Sequence, residues 1–434
     1  MGDKREETKT RTLADAIRTK ESRVLEQLAS APIIPVNANL VSRPWGGRWL
    51  CTYKGIATTS ENHRWGEAFE LSAFDADDET SAHPSIIRLN DGSEMSLSEL
   101  LTAAGPMILG EDFAHTHGCQ LPLLPKTLDV GELLSVQAHP EGLTEAYIVI
   151  EAEENATIRL GFKEDVAPEK FHQRLKSGRQ LQNDLLESLQ DVVGVDALQA
   201  AVKDNFAQRD QPAEAVLSGL PLSQPSPADR GLADNLRRLK EIYWEVLDLL
   251  NEVEVRPGMV IHNANPVAIS EASGRQRSAE IHALGNPEGR EMLVLELRQP
   301  GPTFRAWDNV RFPIRPVDVD VTLRAVNPKA TRPEDFIVSP EPLDSHPGVT
   351  RSVEDDAFTI HHLHPRPWID VRPPVVGQWH TLHCIQGDVG IEIDDNSATT
   401  PLRRGQSALI PVAMESYKLT ANCDNAEVIF VTVS

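Results

Sequence analysis

The chain has 434 residues, 40% of them hydrophobic and 25% charged, which is the balance of a globular protein of about two to four domains, not of a disordered chain. Its 42 Lys and Arg against 65 Asp and Glu residues give a net charge of −23, which argues against nucleic acid or anionic membranes as general partners. The four cysteines form no C-x-x-C pair, so the sequence predicts neither a zinc knuckle nor a disulfide framework.

The N-terminal twenty residues are polar and charged, without the apolar core that a secretory signal needs. The chain also lacks any run of 18 apolar residues that could span a membrane. We therefore expect a cytoplasmic protein with no membrane partner.

Two helices are predicted in the first 104 residues, one near the N-terminus and one that interrupts the strands described next. Ser96 and Glu99 form a capping-box pattern before two leucines, which predicts a short helix over residues 96–104. Apolar residues at helical spacing predict one amphipathic helix within the N-terminal segment, residues 1–32. These residues are Leu13, Ile17, Val24 and Leu28.

Short apolar runs broken by Gly, Pro, Asn and Asp follow and predict many short strands. They fill residues 33–165 and resume over 251–327, and together these two segments are expected to form one barrel. Residues 166–250 between them read as helices separated by a proline-rich loop, and predict an inserted helical domain. A last β-rich block, residues 328–434, predicts a second, small jelly-roll barrel. The expected fold is therefore mainly β, with two barrels and a helical insertion.

Polar residues near position 140 predict a metal site. Gln137 and His139 are two residues apart, so on a strand their side chains leave the same face, about 6.6 Å apart. The turn sequence at 140–142 predicts a hairpin that returns Glu145 across from this pair. These groups, completed by a distant histidine, would suit a divalent metal with an open coordination position. The alternative is a polar hairpin rim with a surface histidine.

Short motifs then follow one another between residues 36 and 325. They are W-G-G at 45–47, G-E-A-F-E-L-S at 66–72, P-L-L-P-K-T-L-D at 122–129, L-S-V-Q-A-H-P at 134–140, T-E at 144–145, G-F-K at 161–163, L-E-L-R-Q at 295–299 and T-F-R-A-W-D at 303–308. In order and spacing this set resembles the type I mannose-6-phosphate isomerases, which are zinc-containing cupins. The resemblance implies that both jelly-roll barrels are cupins and that the C-terminal one is structural.

Carried over residue by residue, the resemblance implies one zinc ion per chain, bound by Gln137, His139, Glu145 and a later histidine. His282 is the preferred fourth ligand because the family's neighbours surround it. It lies fourteen residues before Glu296, however, where the family has about ten.

The alternative fourth ligand is His262. It lies on the expected strand, but only four residues after Gly258, which is sooner than the family's spacing.

The implied reaction interconverts mannose 6-phosphate and fructose 6-phosphate by moving a proton between C1 and C2 through an enediol. Arg305, Glu296 and Lys126 are the implied catalytic residues, and Lys126 and Ser135 are candidates for substrate binding. Such chemistry needs positive charge near O1 and O2 and a group that shuttles the proton. The sequence leaves the identity of the general base and the oligomeric state open.

The phosphate site departs from the family pattern. Leu143 stands where the family has a lysine, and the loop before it is shortened. We expect Lys126 and another basic residue, from the helical insertion, to bind the phosphate instead. One alternative is a non-catalytic cupin that binds sugars or sugar phosphates. Another is a metal cupin that isomerises or oxidises an unphosphorylated ligand.

The second barrel carries His380 and His383 three residues apart, which is the wrong spacing for two ligands on one face of a strand. We therefore expect this barrel to hold no metal.

Overall fold

The fold is taken from a computed structural model of the protein. It describes residues 11–29, 31, 33–57, 64–74, 83–220, 227–265, 269–270, 274–275, 278–372, 378–393, 399–421 and 423–433. Within these ranges no helix combines the length and the apolar character needed to cross a membrane.

The N-terminal segment forms two short helices, α1 (Leu13–Arg18) and α2 (Ser22–Ala29), so the prediction of one continuous helix is wrong. The Thr19 hydroxyl donates to the Asp15 carbonyl oxygen at 2.9 Å and satisfies an acceptor at the end of the first helix. Lys20 then takes a φ of 57°, a left-handed conformation that a helix cannot continue through.

Strands are the most frequent regular elements in the described part of the chain. The strands up to the inserted helices and just beyond them are β1 (Ile34–Val36), β2 (Asn39–Gly47), β3 (Trp65–Phe69), β4 (Ile86–Arg88), β5 (Glu94–Ser96), β6 (Lys126–Val130), β7 (Val136–Ala138), β8 (Glu145–Ala152), β9 (Thr157–Phe162), β10 (Leu250–Glu254), β11 (Val260–Asn263), β12 (Ile269–Ser270), β13 (Gly274–Arg275), β14 (His282–Leu284), β15 (Met292–Arg298) and β16 (Phe304–Trp307). The remaining strands are β17 (Ile337–Val338), β18 (Glu341–Pro342), β19 (Val349–Glu354), β20 (Phe358–Leu363), β21 (Trp368–Val371), β22 (His380–Gln386), β23 (Asp388–Glu392), β24 (Thr400–Arg403), β25 (Ser407–Ile410), β26 (Tyr417–Ala421) and β27 (Glu427–Val433).

The other helices are α3 (Leu50–Tyr53), α4 (Leu97–Leu109), α5 (Glu111–His117), α6 (Pro168–Val193), α7 (Val195–Phe206), α8 (Ala215–Ser218), α9 (Pro227–Asp248) and α10 (Val319–Ala325), with a 3-10 turn at Pro333–Asp335. The capping box predicted at Ser96 is confirmed: its hydroxyl accepts from Glu99 N at 3.0 Å, and the Glu99 carboxylate accepts from Ser96 N at 2.9 Å.

All described strands except β4, β5, β12 and β13 belong to two pairs of antiparallel sheets. The first pair has a seven-stranded sheet, β17-β11-β8-β15-β6-β2-β3, and a five-stranded sheet, β10-β9-β14-β7-β16. The second pair has a seven-stranded sheet, β1-β25-β22-β27-β20-β19-β18, and a four-stranded sheet, β21-β26-β23-β24. The prediction of a mainly β fold is confirmed, while closure of each pair into a cupin barrel stays a prediction.

Two strands cross between these pairs. β1 lies in the second pair, where Ile34 pairs with Leu409, although the predicted boundaries assign residue 34 to the first barrel. β17 lies at the edge of the first pair, where Ile337 pairs with Ile261, although it follows the predicted boundary at 327. Each exchange covers a sheet edge with a strand from the other part of the chain.

Buried apolar side chains from both sheets fill one part of the first pair. They include Leu128, Tyr147, Val149, Leu160, Leu284 and Val294. Farther along the same interior face the residues are polar. Glu296 is opposite Lys126 on one neighbouring strand and Tyr147 on the other, and Arg298 is opposite Glu145. Because directly opposed residues share a face, these side chains project together from the larger sheet.

The helices α6, α7, α8 and α9 lie between β9 and β10 and pack on the smaller sheet through a common apolar core. Gly178 of α6 lies against the indole of Trp307 in β16. A Cβ at position 178 would lie 2.5 Å from a Trp307 ring carbon, so the close approach of helix and strand requires glycine. The inserted helices are thereby fixed beside the interior of the first sheet pair.

Candidate active site

Four side chains converge inside the first sheet pair. Gln137 of β7 is opposite His282 of β14, and their Nε2 atoms lie 3.0 Å apart. His139 lies just beyond β7 and places its Nε2 3.2 Å from Glu145 Oε2. His282 Nε2 lies 3.2 Å from the other carboxylate oxygen, Oε1. The two histidines and Glu145 are buried, with donor atoms within 4.8 Å of one another, a separation that could accommodate a metal ion.

Glu145 reaches this cluster by a route different from the predicted one. β8 pairs with β11 and β15 of the larger sheet, whereas β7 pairs with β14 and β16 of the smaller one. The predicted hairpin between β7 and β8 is therefore wrong. Glu145 instead projects from the facing sheet across the interior toward the histidines.

The hydrogen bonds of the two histidines indicate why a cation fits between them. Their Nδ1 atoms lie 3.2 Å and 2.8 Å from the carbonyl oxygens of Pro302 and Glu280, which can only accept, so each Nδ1 carries the proton. Each Nε2 lone pair then points toward the Glu145 carboxylate. His139 Nε2 and Glu145 Oε2 are buried without a hydrogen-bond partner among the residues that the structure describes. A metal ion would satisfy these facing lone pairs.

Neighbouring groups hold the Glu145 carboxylate in place. Asn263 Nδ2 donates to Oε1 at 2.8 Å, and the Tyr147 hydroxyl donates to the same oxygen. Burial alone would raise the pKa of Glu145, but His282, His139 and the hydrogen bond from Tyr147 lower it well below its usual value. Burial lowers the pKa of His282 in spite of the nearby carboxylate. An ionised carboxylate and a neutral imidazole are the forms in which these groups bind a metal ion.

His262 lies elsewhere. Its Nε2 is 2.9 Å from Asp355 Oδ2, on the segment between β19 and β20, and its ring packs near Phe358. It belongs to β11 of the larger sheet and is outside the cluster formed by His139, Glu145 and His282.

The predicted catalytic pair Lys126 and Glu296 lies on the same interior face. Lys126 Nζ is 3.1 Å from Glu296 Oε1 and 3.8 Å from Glu67 Oε1. Arg298 lies between this pair and the cluster of His139, Glu145 and His282. Its Nε lies 3.5 Å from Glu296 Oε1, and its Nη1 lies 3.4 Å from His139 Nδ1. A lysine, a glutamate and an arginine thus line one wall beside the histidines.

The other two predicted residues lie on the smaller sheet. Arg305 of β16 is opposite Gln137, so its side chain leaves the same face as that amide. The Arg305 guanidinium is half-buried, and burial lowers its pKa, as does the nearby charge of Arg315. Ser135 is buried immediately before β7.

Arg298 and Tyr147 were not singled out in the sequence. Each lies two residues beyond a predicted site residue, Glu296 or Glu145, on the same strand. The alternation of side chains along a strand could have identified both, because residues i and i+2 share a face.

In the second sheet pair, His380 and His383 lie on opposite sides of β22. His380 Nε2 is 2.9 Å from the Tyr417 hydroxyl, and His383 Nδ1 is 2.8 Å from Ser407 Oγ. The three-residue spacing thus separates the two rings.

Fold and site together define a mainly β protein with a buried His-Glu-His cluster suited to a metal. Residues 76–157 match the family described as phosphomannose isomerase type I, catalytic domain, which confirms the resemblance to the type I mannose-6-phosphate isomerases. No curated protein matches the chain at a significant level.

Solved structures extend the similarity in fold to nearly the whole chain. Mannose 6-phosphate isomerase from Bacillus subtilis is 18% identical, with a TM-score of 0.61, over 92% of this chain and 99% of that one. A point mutant of phosphomannose isomerase from Salmonella typhimurium is 16% identical, with a TM-score of 0.59, over 93% of this chain and 100% of that one.

Proposed function

We propose that the protein is a zinc-dependent aldose–ketose isomerase that interconverts mannose 6-phosphate and fructose 6-phosphate. The observation that carries the proposal is that Glu145 and Glu296 project from the same interior face of the larger sheet. One carboxylate faces two imidazole nitrogens, and the other, paired with Lys126, lies beside them on the same interior face. The match to the phosphomannose isomerase catalytic domain supports the choice of substrate.

Gln137, His139, Glu145 and His282 would hold the metal. Two imidazole nitrogens and a carboxylate are a donor set that zinc accepts readily. Rotation of the Gln137 amide would turn its oxygen toward the same point. When bound, the ion supplies positive charge for the substrate oxygens at C1 and C2, where negative charge develops.

Glu296 is the best-placed group to move the proton. In the proposed reaction its carboxylate takes the proton from C2 of the aldose while O1 gains a proton, which gives the enediol. The carboxylate then returns its proton to C1 while O2 loses its hydroxyl proton, which gives the ketose. Lys126 and Arg298 lie on the side of Oε1, so they orient the carboxylate and leave Oε2 for the substrate. Lys126 is also positioned to bind a substrate hydroxyl.

Arg305 completes the site from the opposite sheet. Its guanidinium projects on the face of Gln137 and is proposed to stabilise negative charge on the enediol oxygens. Ser135, buried just before β7, is proposed to contact the sugar.

A non-catalytic sugar-binding protein is the second candidate, and the departure at Leu143 favours it. The Lys126–Glu296 pair argues against it, because sugar binding does not require an ion-paired carboxylate beside a metal site.

Two measurements on the purified protein test the proposal: metal content, and conversion of mannose 6-phosphate in deuterated water. We expect about one zinc per chain, turnover, and deuterium at C1 of the fructose 6-phosphate formed by proton exchange on Glu296. Glu296→Gln should retain zinc and lose turnover, whereas Glu252→Gln, which changes a half-exposed carboxylate paired with Arg159, should behave as wild type. Stoichiometric metal without turnover would favour the binding protein instead.

A further inference from the structure

Four arginines gather where the inserted helices meet the segment after β16. Arg311 and Arg315 both pair with the buried carboxylate of Asp308, at 3.1 Å from Arg311 Nη1 and 2.8 Å from Arg315 Nε. Arg179 of α6 donates from Nη2 to the Arg315 carbonyl oxygen at 2.9 Å. Arg305 completes the group, since the charges of both Arg315 and Asp308 act on it.

The group carries more positive charge than its surroundings neutralise. Arg179 and Arg305 form no ion pair within 4.0 Å with any side chain in the part of the chain that the structure describes. Besides Asp308, Glu132 lies 4.0 Å from Arg311, and the charge of Asp318 acts on Arg305. In a chain of net charge −23, such an excess of guanidinium groups is a local exception that favours an anion.

The helical insertion is rigidly attached at this point. Gly178 packs on Trp307, and Gln182, one turn further along α6, donates to the Arg311 carbonyl oxygen at 2.7 Å. Arg179 lies between these two contacts, so its guanidinium is held beside Arg315. Among the residues that the structure describes, Arg179 donates a hydrogen bond from Nη2 alone, which leaves Nε and Nη1 to donate to a ligand.

The position of the family's lysine, Leu143, and the expected phosphate ligand Lys126 are both less suitable. Leu143 is buried, and its Cδ1 lies so close to Gly301 that a Cβ there would be 2.8 Å away, so this position offers neither charge nor room for an anion. The Lys126 ammonium is already shared between Glu296 and Glu67. A dianion therefore needs cations from another part of the site.

We propose that Arg179 and Arg315 bind the phosphate group of the substrate, with Arg305 between the phosphate and the reacting carbons. The inference rests on the proposed function and makes Arg179, a residue of the helical insertion, a determinant of specificity for phosphorylated sugars. Guanidinium groups suit this role because each has several donors in a planar fork that matches phosphate oxygens. Arg315 holds Asp308 through Nε and Nη2 and would donate to the phosphate from Nη1, whereas Lys126 has a single nitrogen that two carboxylates share. Arg311 keeps a structural role, since it is buried and also donates to the Leu133 carbonyl oxygen.

The test compares Arg179→Gln with Arg174→Gln, a matched change on the same helix at a residue that pairs with Glu245. We measure kcat and KM for mannose 6-phosphate and, separately, the binding of inorganic phosphate by calorimetry. Loss of one charge-assisted hydrogen-bonding group should raise KM and the phosphate Kd about tenfold to a hundredfold, with kcat and metal content retained. Arg179→Lys should recover part of the affinity, and Arg174→Gln should change neither constant.

The outcomes separate this inference from the proposed function. Normal turnover with an unchanged KM and phosphate Kd in Arg179→Gln would overturn the phosphate site and leave the isomerase standing. Phosphate binding that depends on Arg179, in a protein that does not convert mannose 6-phosphate, would support the site and reject the isomerase. If the wild-type protein does not bind inorganic phosphate at millimolar concentration, the phosphate site is wrong.

Discussion

Both sheet pairs bury histidines, but the two sets have different partners. In the second pair His362 lies between Glu427 and Ser352, at 2.7 Å and 2.9 Å, so both of its ring nitrogens have partners. His383 likewise has Ser407 and Thr381 within 3.0 Å. In the first pair, His139 Nε2 faces a Glu145 oxygen and has no hydrogen-bond partner among the described residues, while His282 Nε2 lies beside the other Glu145 oxygen and the Gln137 amide.

The difference teaches how to separate a structural histidine from a candidate ligand. A buried imidazole with a hydroxyl or carboxylate partner on both nitrogens has no lone pair left for a metal. An imidazole whose Nδ1 is bound to a carbonyl oxygen presents its Nε2 lone pair outward, and a second such ring beside it makes a site. Burial does not distinguish the two kinds, because the histidines of both regions are buried.

The largest expected effect comes from breaking the first site. His282→Ala should release the metal and reduce turnover to background, because it removes a donor nitrogen that no neighbour replaces. His262→Ala is the matched control, since His262 pairs with Asp355 outside the cluster. Metal content by mass spectrometry and turnover measure both. Loss of metal from His262→Ala, with retention in His282→Ala, would assign the fourth ligand to the other histidine.

The next effect concerns Arg305. Arg305→Ala should lower turnover by about 10²–10³ and leave metal content unchanged, because it removes a preorganised charge near the developing oxyanion. The control is Arg351→Ala, an arginine of the second sheet pair that binds Glu354. Steady-state kinetics measure both variants, and near-normal turnover in Arg305→Ala would exclude that residue from the mechanism.

Buried groups in the two regions should also affect stability over different ranges of acid pH. Burial lowers the pKa of His380 in the second pair to about 4, from about 6.5 in an unfolded chain. Between these values only the unfolded state binds the proton, so the free energy of unfolding should fall as the pH falls, by about 3 kcal/mol. The lowered pKa of Glu145 works in a different window: its contribution is complete above about pH 4.3 and is lost only below it.

Urea unfolding between pH 4 and 7 measures this difference. His380→Gln should reduce the slope between pH 6.5 and 4, and Glu145→Gln should leave that slope unchanged. An unchanged slope in His380→Gln would show that folding does not lower the pKa of His380.

The smallest expected effect comes from changing a residue that holds a metal ligand in place. Asn263→Ala should weaken metal binding by about 10- to 100-fold, because Asn263 donates to Glu145 Oε1 at 2.8 Å and fixes the carboxylate. Asn251→Ala removes a comparable buried amide that bonds to Phe162 and Thr331, and should leave metal affinity unchanged. Competition with a zinc chelator gives both affinities.

Local patterns predicted much of this fold. The capping box at Ser96 and the same-face relation of Gln137 and His139 depend on neighbours within a few residues, and the sequence contains them. The pairing of β7 and β8 was wrong, because turn residues near position 141 cannot show that each strand joins a different sheet. The exchange of β1 and β17 was equally invisible, since it depends on pairing between strands far apart in the chain.

The candidate site, too, could be predicted only in part from the sequence. Glu145 and His282 could be listed from motifs, but their 3.2 Å approach depends on how two sheets face each other. Arg179 could not be assigned from the sequence, because its place beside Arg315 follows from the packing of α6 on Trp307.

Anomalous X-ray scattering at the zinc edge, from crystals of the purified protein, tests the central claim most directly. We expect one peak per chain about 2.0–2.2 Å from Nε2 of His139 and of His282, and within the same range of a Glu145 carboxylate oxygen. A zinc peak at His262, or no peak between these residues in a preparation that isomerises mannose 6-phosphate, would contradict it.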